Sequence, residues 1–115
     1  MSIIVTGTID FDPANRDKAI ETVSACMEAT RAEEGCEFYA FSGDFSEPGR
    51  FYVSEQWASQ EAMDSHMQTP HMATLMGAMG SLGVTGASLT KWDGATPSKL
   101  SRDGRGSDRR GEPAD

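Results

Sequence analysis

Apolar and polar positions along the chain fall into short blocks separated by turn residues. Residues 2–11 (Ser-Ile-Ile-Val-Thr-Gly-Thr-Ile-Asp-Phe) are β-branched and apolar, which predicts a strand. Asp12-Pro13 then supplies a cap followed by proline in the first turn, the usual opening of a helix. Ile20, Val23, Met27 and Thr30 recur at spacings of three and four, with Asp17, Glu21 and Glu28 off that stripe, and Gly35 ends the helix. Residues 36–43 and 50–57 read as two strands joined at Glu47-Pro48-Gly49-Arg50. Ser59 caps a short helix that runs to about His66. Thr69-Pro70 repeats the cap-plus-proline signal ahead of a helix carrying Met72, Leu75, Met76 and Met79. Residues 84–92 form the last strand.

The order is β-α-β followed by β-α-α-β. Two split units of this kind give an α+β, ferredoxin-like βαββααβ fold, an antiparallel sheet with its helices on one face. Such a sheet should alternate apolar and polar side chains. Ile3-Ile4-Val5, Phe38-Tyr39-Ala40-Phe41 and Phe51-Tyr52-Val53 instead place apolar groups on both faces. The helices cover only one of them, so a second copy of the chain is expected to cover the other, making a homodimer.

Charge divides the 115 residues. Residues 1–98 hold five basic groups against fourteen acidic ones, and residues 99–115 hold five against four. The latter stretch has only Leu100 and Ala114 as apolar residues. Residues 1–96 are therefore expected to fold, and 97–115 to form a disordered tail. An acidic body without a basic aromatic stripe excludes nucleic acid as a partner. The apolar runs fall far short of the roughly 20 residues of a membrane span, so no membrane association is expected. The first residues lack the basic and apolar regions of a secretory leader. Two cysteines ten residues apart, Cys26 and Cys36, fit reduced thiols in a cytoplasmic protein.

Chemistry centres on few residues. His66 shares a helix face with Ala62 and Met63, so it points toward the sheet, where desolvation favours a neutral, basic imidazole. A histidine satisfied within the core is the competing reading. His71, in the first turn of the next helix, reads as a capping or pocket-rim group. The two histidines lie five apart across Pro70, not at the four-residue spacing that lets imidazoles share an ion, so no metal is expected. Glu55 lies on one strand face with Trp57. It either orients His66 or pairs with Arg50, Arg31 or a cation of a second copy. Met63, Met67, Met72, Met76 and Met79 form a soft core that also suits a flat apolar ligand. Tyr39 joins the site or not according to strand register.

The segment from Ser54-Glu55-Gln56-Trp57 through Ala62-Met63 to His66-Met67-Gln68-Thr69-Pro70-His71 resembles the Glu-x-Trp … Ala … His-x-x-(Ser/Thr)-Pro-His stretch of the antibiotic biosynthesis monooxygenase family. The resemblance implies a dimeric α/β barrel with a pocket in each subunit. It also implies oxygenation of a quinol or polycyclic phenol by O₂ without flavin, haem or metal. On that reading His66 and Glu55 are catalytic, and Trp57, Met63, His71, Met76 and Tyr39 contact a small planar aromatic substrate. The haem-degrading branch does not fit: Asn15, the only asparagine, lies in the first helix, and alignment on Trp57 puts Met76 where the iron ligand would be. An isomerase or lyase of a small metabolite, or a non-catalytic ligand-binding dimer with a stress-related role, are the alternatives on this fold. The non-catalytic dimer predicts a His66 fully sealed in the core with no cavity beside it, whereas a pocket of a few hundred Å³ bounded by His66, Trp57 and methionines favours a ligand-binding or enzymatic role.

Overall fold

A computed structural model describes residues 1–102, 104 and 105. Its elements are β1 (Ser2–Phe11), α1 (Arg16–Arg31), β2 (Cys36–Gly43), β3 (Arg50–Trp57), α2 (Gln60–Met67), α3 (Pro70–Leu82) and β4 (Val84–Ala95). The four strands form one antiparallel sheet in the order β2-β3-β1-β4. This is the ferredoxin-like α+β fold expected from the hydrophobic pattern. The last strand runs three residues beyond the predicted 84–92. The tail expected over 97–115 falls largely on residues 103 and 106–115, outside the described residues.

Alternation on β1 and β3 sorts their side chains cleanly. Ile3, Val5, Ile9 and Phe11, with Phe51, Val53 and Trp57, are buried beneath the helices. The opposite face carries a row that register sets across all four strands: Phe38, Gln56, Ile4 and Trp92. Phe38 and Trp92 are exposed, as is Tyr52 nearby. The expectation of apolar groups on both faces therefore holds, with Ser and Thr between them.

Helix α1 departs from the predicted stripe. Its buried residues are Ala19, Val23, Cys26 and Thr30, and Ile20 is exposed. Val23 and Thr30 keep their predicted places, while Ala19 and Cys26 share the buried line with them. The Asp12-Pro13 signal also opens something shorter than predicted. Asp12 accepts a hydrogen bond from the Ala14 amide at 3.0 Å, and Pro13–Asn15 make a 3₁₀ turn before α1 begins.

Two glycines position the functional region. Gly35 has φ +84°, and a Cβ there would stand 2.5 Å from that of Ala62. Only glycine permits this turn and this closeness. The loop after α1 is thereby pressed against α2, and the Ala58 amide donates to the Gly35 carbonyl at 2.8 Å. Gly7, in the middle of β1, leaves room for the Ser88–Leu89 backbone, which a Cβ would meet at 1.9 Å.

Candidate functional site

The α2–α3 joint fixes both histidines. Ser59 caps α2 through its hydroxyl, which accepts from the Ala62 amide at 3.1 Å. At the far end Thr69 does two jobs. Its hydroxyl donates to the His66 carbonyl at 2.7 Å, and its oxygen accepts from the Met72 amide at the start of α3. His66 thus ends one helix and His71 begins the next. The His66 ring is turned inward, packed at 4.6 Å between centroids against Trp57 and at 5.2 Å edge-to-face against Tyr39.

The residue that organises them is Glu33, in the loop that Gly35 holds against α2. Its Oε2 lies 2.7 Å from His66 Nδ1 and 2.7 Å from His71 Nε2. An ionised carboxylate oxygen can only accept, so with Glu33 ionised both ring nitrogens donate to it, and a neutral His66 then has its lone pair on Nε2. His66 is 1% exposed, Glu33 15% and His71 23%, so the three step outward from the core. Their ligand-competent atoms all lie within 4.8 Å of one another. Although the two histidines are five apart across Pro70, the α2–α3 joint brings both rings to one oxygen.

Two spaces flank this cluster. Beneath α2 and α3 is a cavity of ≈ 290 Å³. Its floor is two rows of the sheet set by register: Tyr39, Glu55, Val5 and Lys91 in one, and Phe41, Val53 and Leu89 in the other. Its roof is His66 with Met63, Met67, Met72, Met76 and Met79. On the opposite side lies an open groove of ≈ 600 Å³, whose wall includes Glu33, Glu34, Glu61, Ser65 and Thr69.

Residues 2–78 match the family model described as "antibiotic biosynthesis monooxygenase". The chain belongs to that family. A Deinococcus radiodurans structure provisionally assigned as an antibiotic biosynthesis monooxygenase is 28% identical and superposes with a TM-score of 0.77, covering 85% of this chain and 97% of that one. A Mycobacterium tuberculosis structure shares the fold at 22% identity and a TM-score of 0.76, covering 86% of this chain and all of the other. An uncharacterized protein of Synechocystis is 35% identical over 69 residues, 60% of this chain. The chain spans about half of that relative's length, 47%.

Within this family fold the expected site residues separate. His66, Glu55, Tyr39, Met63 and Met76 all line the cavity. Trp57 does not. It is fully buried behind His66. His71 is not among the cavity residues either and belongs to the Glu33 cluster. Among the described residues Glu55 hydrogen-bonds neither His66 nor a cation. Its carboxylate accepts from Trp57 Nε1 at 2.9 Å. Arg50 lies on the other sheet face, paired with Asp10 at 2.8 Å, and Arg31 donates to the Tyr39 carbonyl. Burial pushes the Glu55 carboxyl upward, and the Trp57 bond offsets this in part. Burial also pushes the Tyr39 phenol well above its ordinary value. Its hydroxyl therefore stays protonated, facing Cys26 and Met72 sulfurs at 3.9 and 4.0 Å. Both cysteines are free thiols.

Two residues of this region escaped the sequence reading. Glu33 sits in an acidic pair beside a loop glycine, which reads as a solvated turn. Lys91 lies on an edge strand, where its Nζ meets Gln60 Oε1 at 2.8 Å at the cavity. Neither carries a local pattern that marks it. No helix among the described residues is long and apolar enough to cross a membrane.

Proposed function

We propose that the protein is a cofactor-independent monooxygenase acting on a small planar quinol or phenol with O₂. The observation that carries this reading is a single imidazole, His66. Its Nδ1 meets Glu33 at 2.7 Å and its ring lines a cavity walled by methionines. The volume of ≈ 290 Å³ stands at the lower edge of the roughly 300–1,000 Å³ usual for ligand sites, which suits one or two fused rings.

The chemistry balances without a resident cofactor. His66 Nε2 takes the phenolic proton, leaving imidazolium beside the Glu33 carboxylate, which stabilises it. The phenolate transfers one electron to O₂. The aryloxyl radical and superoxide combine into a C–O bond, and the peroxide anion takes the proton back from His66. Loss of water across the new C–O–O–H group leaves a carbonyl on the ring. A quinol and O₂ thus give a hydroxyquinone and H₂O, with the substrate supplying all the electrons. Methionine walls exclude water from the radical pair. Glu55, Tyr39, Met63 and Met76 contact the ring, and Trp57 braces His66 from behind.

The working unit of this proposal is a homodimer in which a second copy covers the face bearing Phe38, Tyr52 and Trp92, closing an α/β barrel. Analytical ultracentrifugation at micromolar concentration should show a dimer, and a clean monomer would sink this part. For the reaction, oxygen uptake should be measured over a panel of benzoquinols and naphthoquinols, with a tricyclic anthrone as the size limit. On a substrate that is turned over, His66→Ala should lose roughly 10²–10⁴-fold in kcat, the usual worth of a general base. Full turnover in that variant overturns the assignment.

A further inference from the structure

We infer that Glu33, His66 and His71 form a binding site for a divalent first-row transition ion, entered from the acidic groove, whose occupancy disables His66 as a base. Three observations carry this. The first is the donor set. Two imidazole nitrogens and a carboxylate oxygen from three separate segments converge, all within 4.8 Å. Such a set suits Zn²⁺, Co²⁺, Ni²⁺ or Fe²⁺ and is too poor in oxygen for Ca²⁺ or Mg²⁺. Metal–ligand bonds of about 2.0–2.2 Å place neighbouring ligand atoms roughly 3 Å apart. The two N···O distances of 2.7 Å need to open by only a few tenths of an ångström, with His71 swinging toward His66. His71 is the member with freedom to do so, being the most exposed of the three and seated in the first turn of α3.

The second observation is the route. Glu33 forms part of the groove wall, and Glu34 and Glu61 share that groove with no lysine or arginine among its lining residues. Carboxylates that line a concave surface raise the local concentration of cations. The third is which edge of His66 is used. The ion takes Nδ1, the nitrogen turned to Glu33, while the ring itself lines the cavity.

The consequence is a proton count. A neutral imidazole carries one N–H. When Nδ1 binds an ion, that proton moves to Nε2, and the ring loses no proton overall. Nε2 changes from acceptor to donor and cannot take a proton from a substrate. The ion would therefore act as an inhibitor, and its site is distinct from the cavity. The binding site stands on its own geometry; only the inhibition rests on the oxygenation proposed above.

The test uses tag-free, metal-free full-length protein. Isothermal titration with Zn²⁺ should give one ion per chain. Co²⁺ should give visible d–d bands of a low-coordinate nitrogen–oxygen site. His71→Gln should weaken both by more than the roughly 10–100-fold that loss of an outer-shell partner costs. Thermal melting checks that the variant folds; if it melts early, His71→Glu, which returns a carboxylate oxygen, should bind Co²⁺ with a changed spectrum. Absence of Zn²⁺ heat and of Co²⁺ bands, or equal affinity in wild type and a folded His71→Gln, overturns the site. Where a quinol is turned over, one equivalent of Zn²⁺ should stop oxygen uptake, and a chelator should restore it. In His71→Gln that ion should leave the variant's own metal-free rate unchanged. Tight binding with undiminished turnover overturns the switch and leaves the site standing. Absence of turnover on every substrate counts against the oxygenase reading alone.

Discussion

The cavity and the groove meet at one hydrogen bond, and they are built from opposite materials. The cavity presents five methionines, Tyr39 and Phe41 around one imidazole, with Glu55 and Lys91 as its two charged residues. The groove presents Glu33, Glu34 and Glu61 beside Ser59, Ser65 and Thr69. A dry apolar wall strengthens any charge interaction inside it, whereas an open acidic wall gathers cations and stays hydrated. His66 belongs to the first region and Glu33 to the second. The 2.7 Å bond between them lets a group on a wet surface decide which nitrogen of a buried ring is basic. On the proposed function the two sides of this site are separable: the cavity would select the substrate, and Glu33 would set which nitrogen of the ring is basic.

Glu33→Gln is the substitution that probes the link most directly. It keeps size and one acceptor oxygen but removes the charge that faces the imidazolium formed during turnover. Hydrogen bonds to charged groups are worth about 1.5–3 kcal/mol, which corresponds to roughly 10–100-fold in rate. The expected outcome is a fall in kcat of that order with KM little altered, because Glu33 is not among the cavity residues. Steady-state oxygen uptake across substrate concentrations reads the two parameters apart. A rise in KM with kcat intact would mean that Glu33 shapes the cavity instead, and the separation of the two regions would fail.

The parts of the molecule legible in the sequence are those governed by local period and local caps. Strands β2 and β3 begin and end at the predicted residues because Gly43, Pro48 and Gly49 punctuate them. The Thr69-Pro70 signal opens α3 as expected, and the helix-face argument brings His66 to the cavity. The α1 stripe holds at Val23 and Thr30, with Met27 packed at the core's edge, and departs at its first position, where Ala19 is completely buried while Ile20 is exposed. Glu33 was not legible because its role depends on a contact 33 residues away, made possible by a backbone turn at Gly35. The partner of Glu55 was not legible for a related reason: its strand neighbour on the same face, Trp57, takes its carboxylate through the indole N–H while packing its ring on His66. The convergence of His66 and His71 on Glu33 was not legible either, because the spacing was counted along one helix, and Pro70 starts a second helix whose first turn brings His71 back to the Glu33 oxygen.

The smallest effect concerns the rim of the groove and tests whether it acts only through charge. Glu61→Gln removes one of the three carboxylates without touching the ligand set. An exposed charge acting over a short distance contributes about 0.2–1 kcal/mol, so Zn²⁺ affinity should drop by roughly 1.5–5-fold at low salt. Because the Debye length shrinks to about 3 Å at 1 M ionic strength, the difference from wild type should vanish there. Oxygen uptake in metal-free buffer should be unaffected, since Glu61 faces the groove and is not among the cavity residues. Titrations of both proteins at the two salt concentrations check this. A loss that survives high salt would make Glu61 a direct ligand, extending the cluster beyond Glu33, His66 and His71, and the groove would then be part of the coordination site itself.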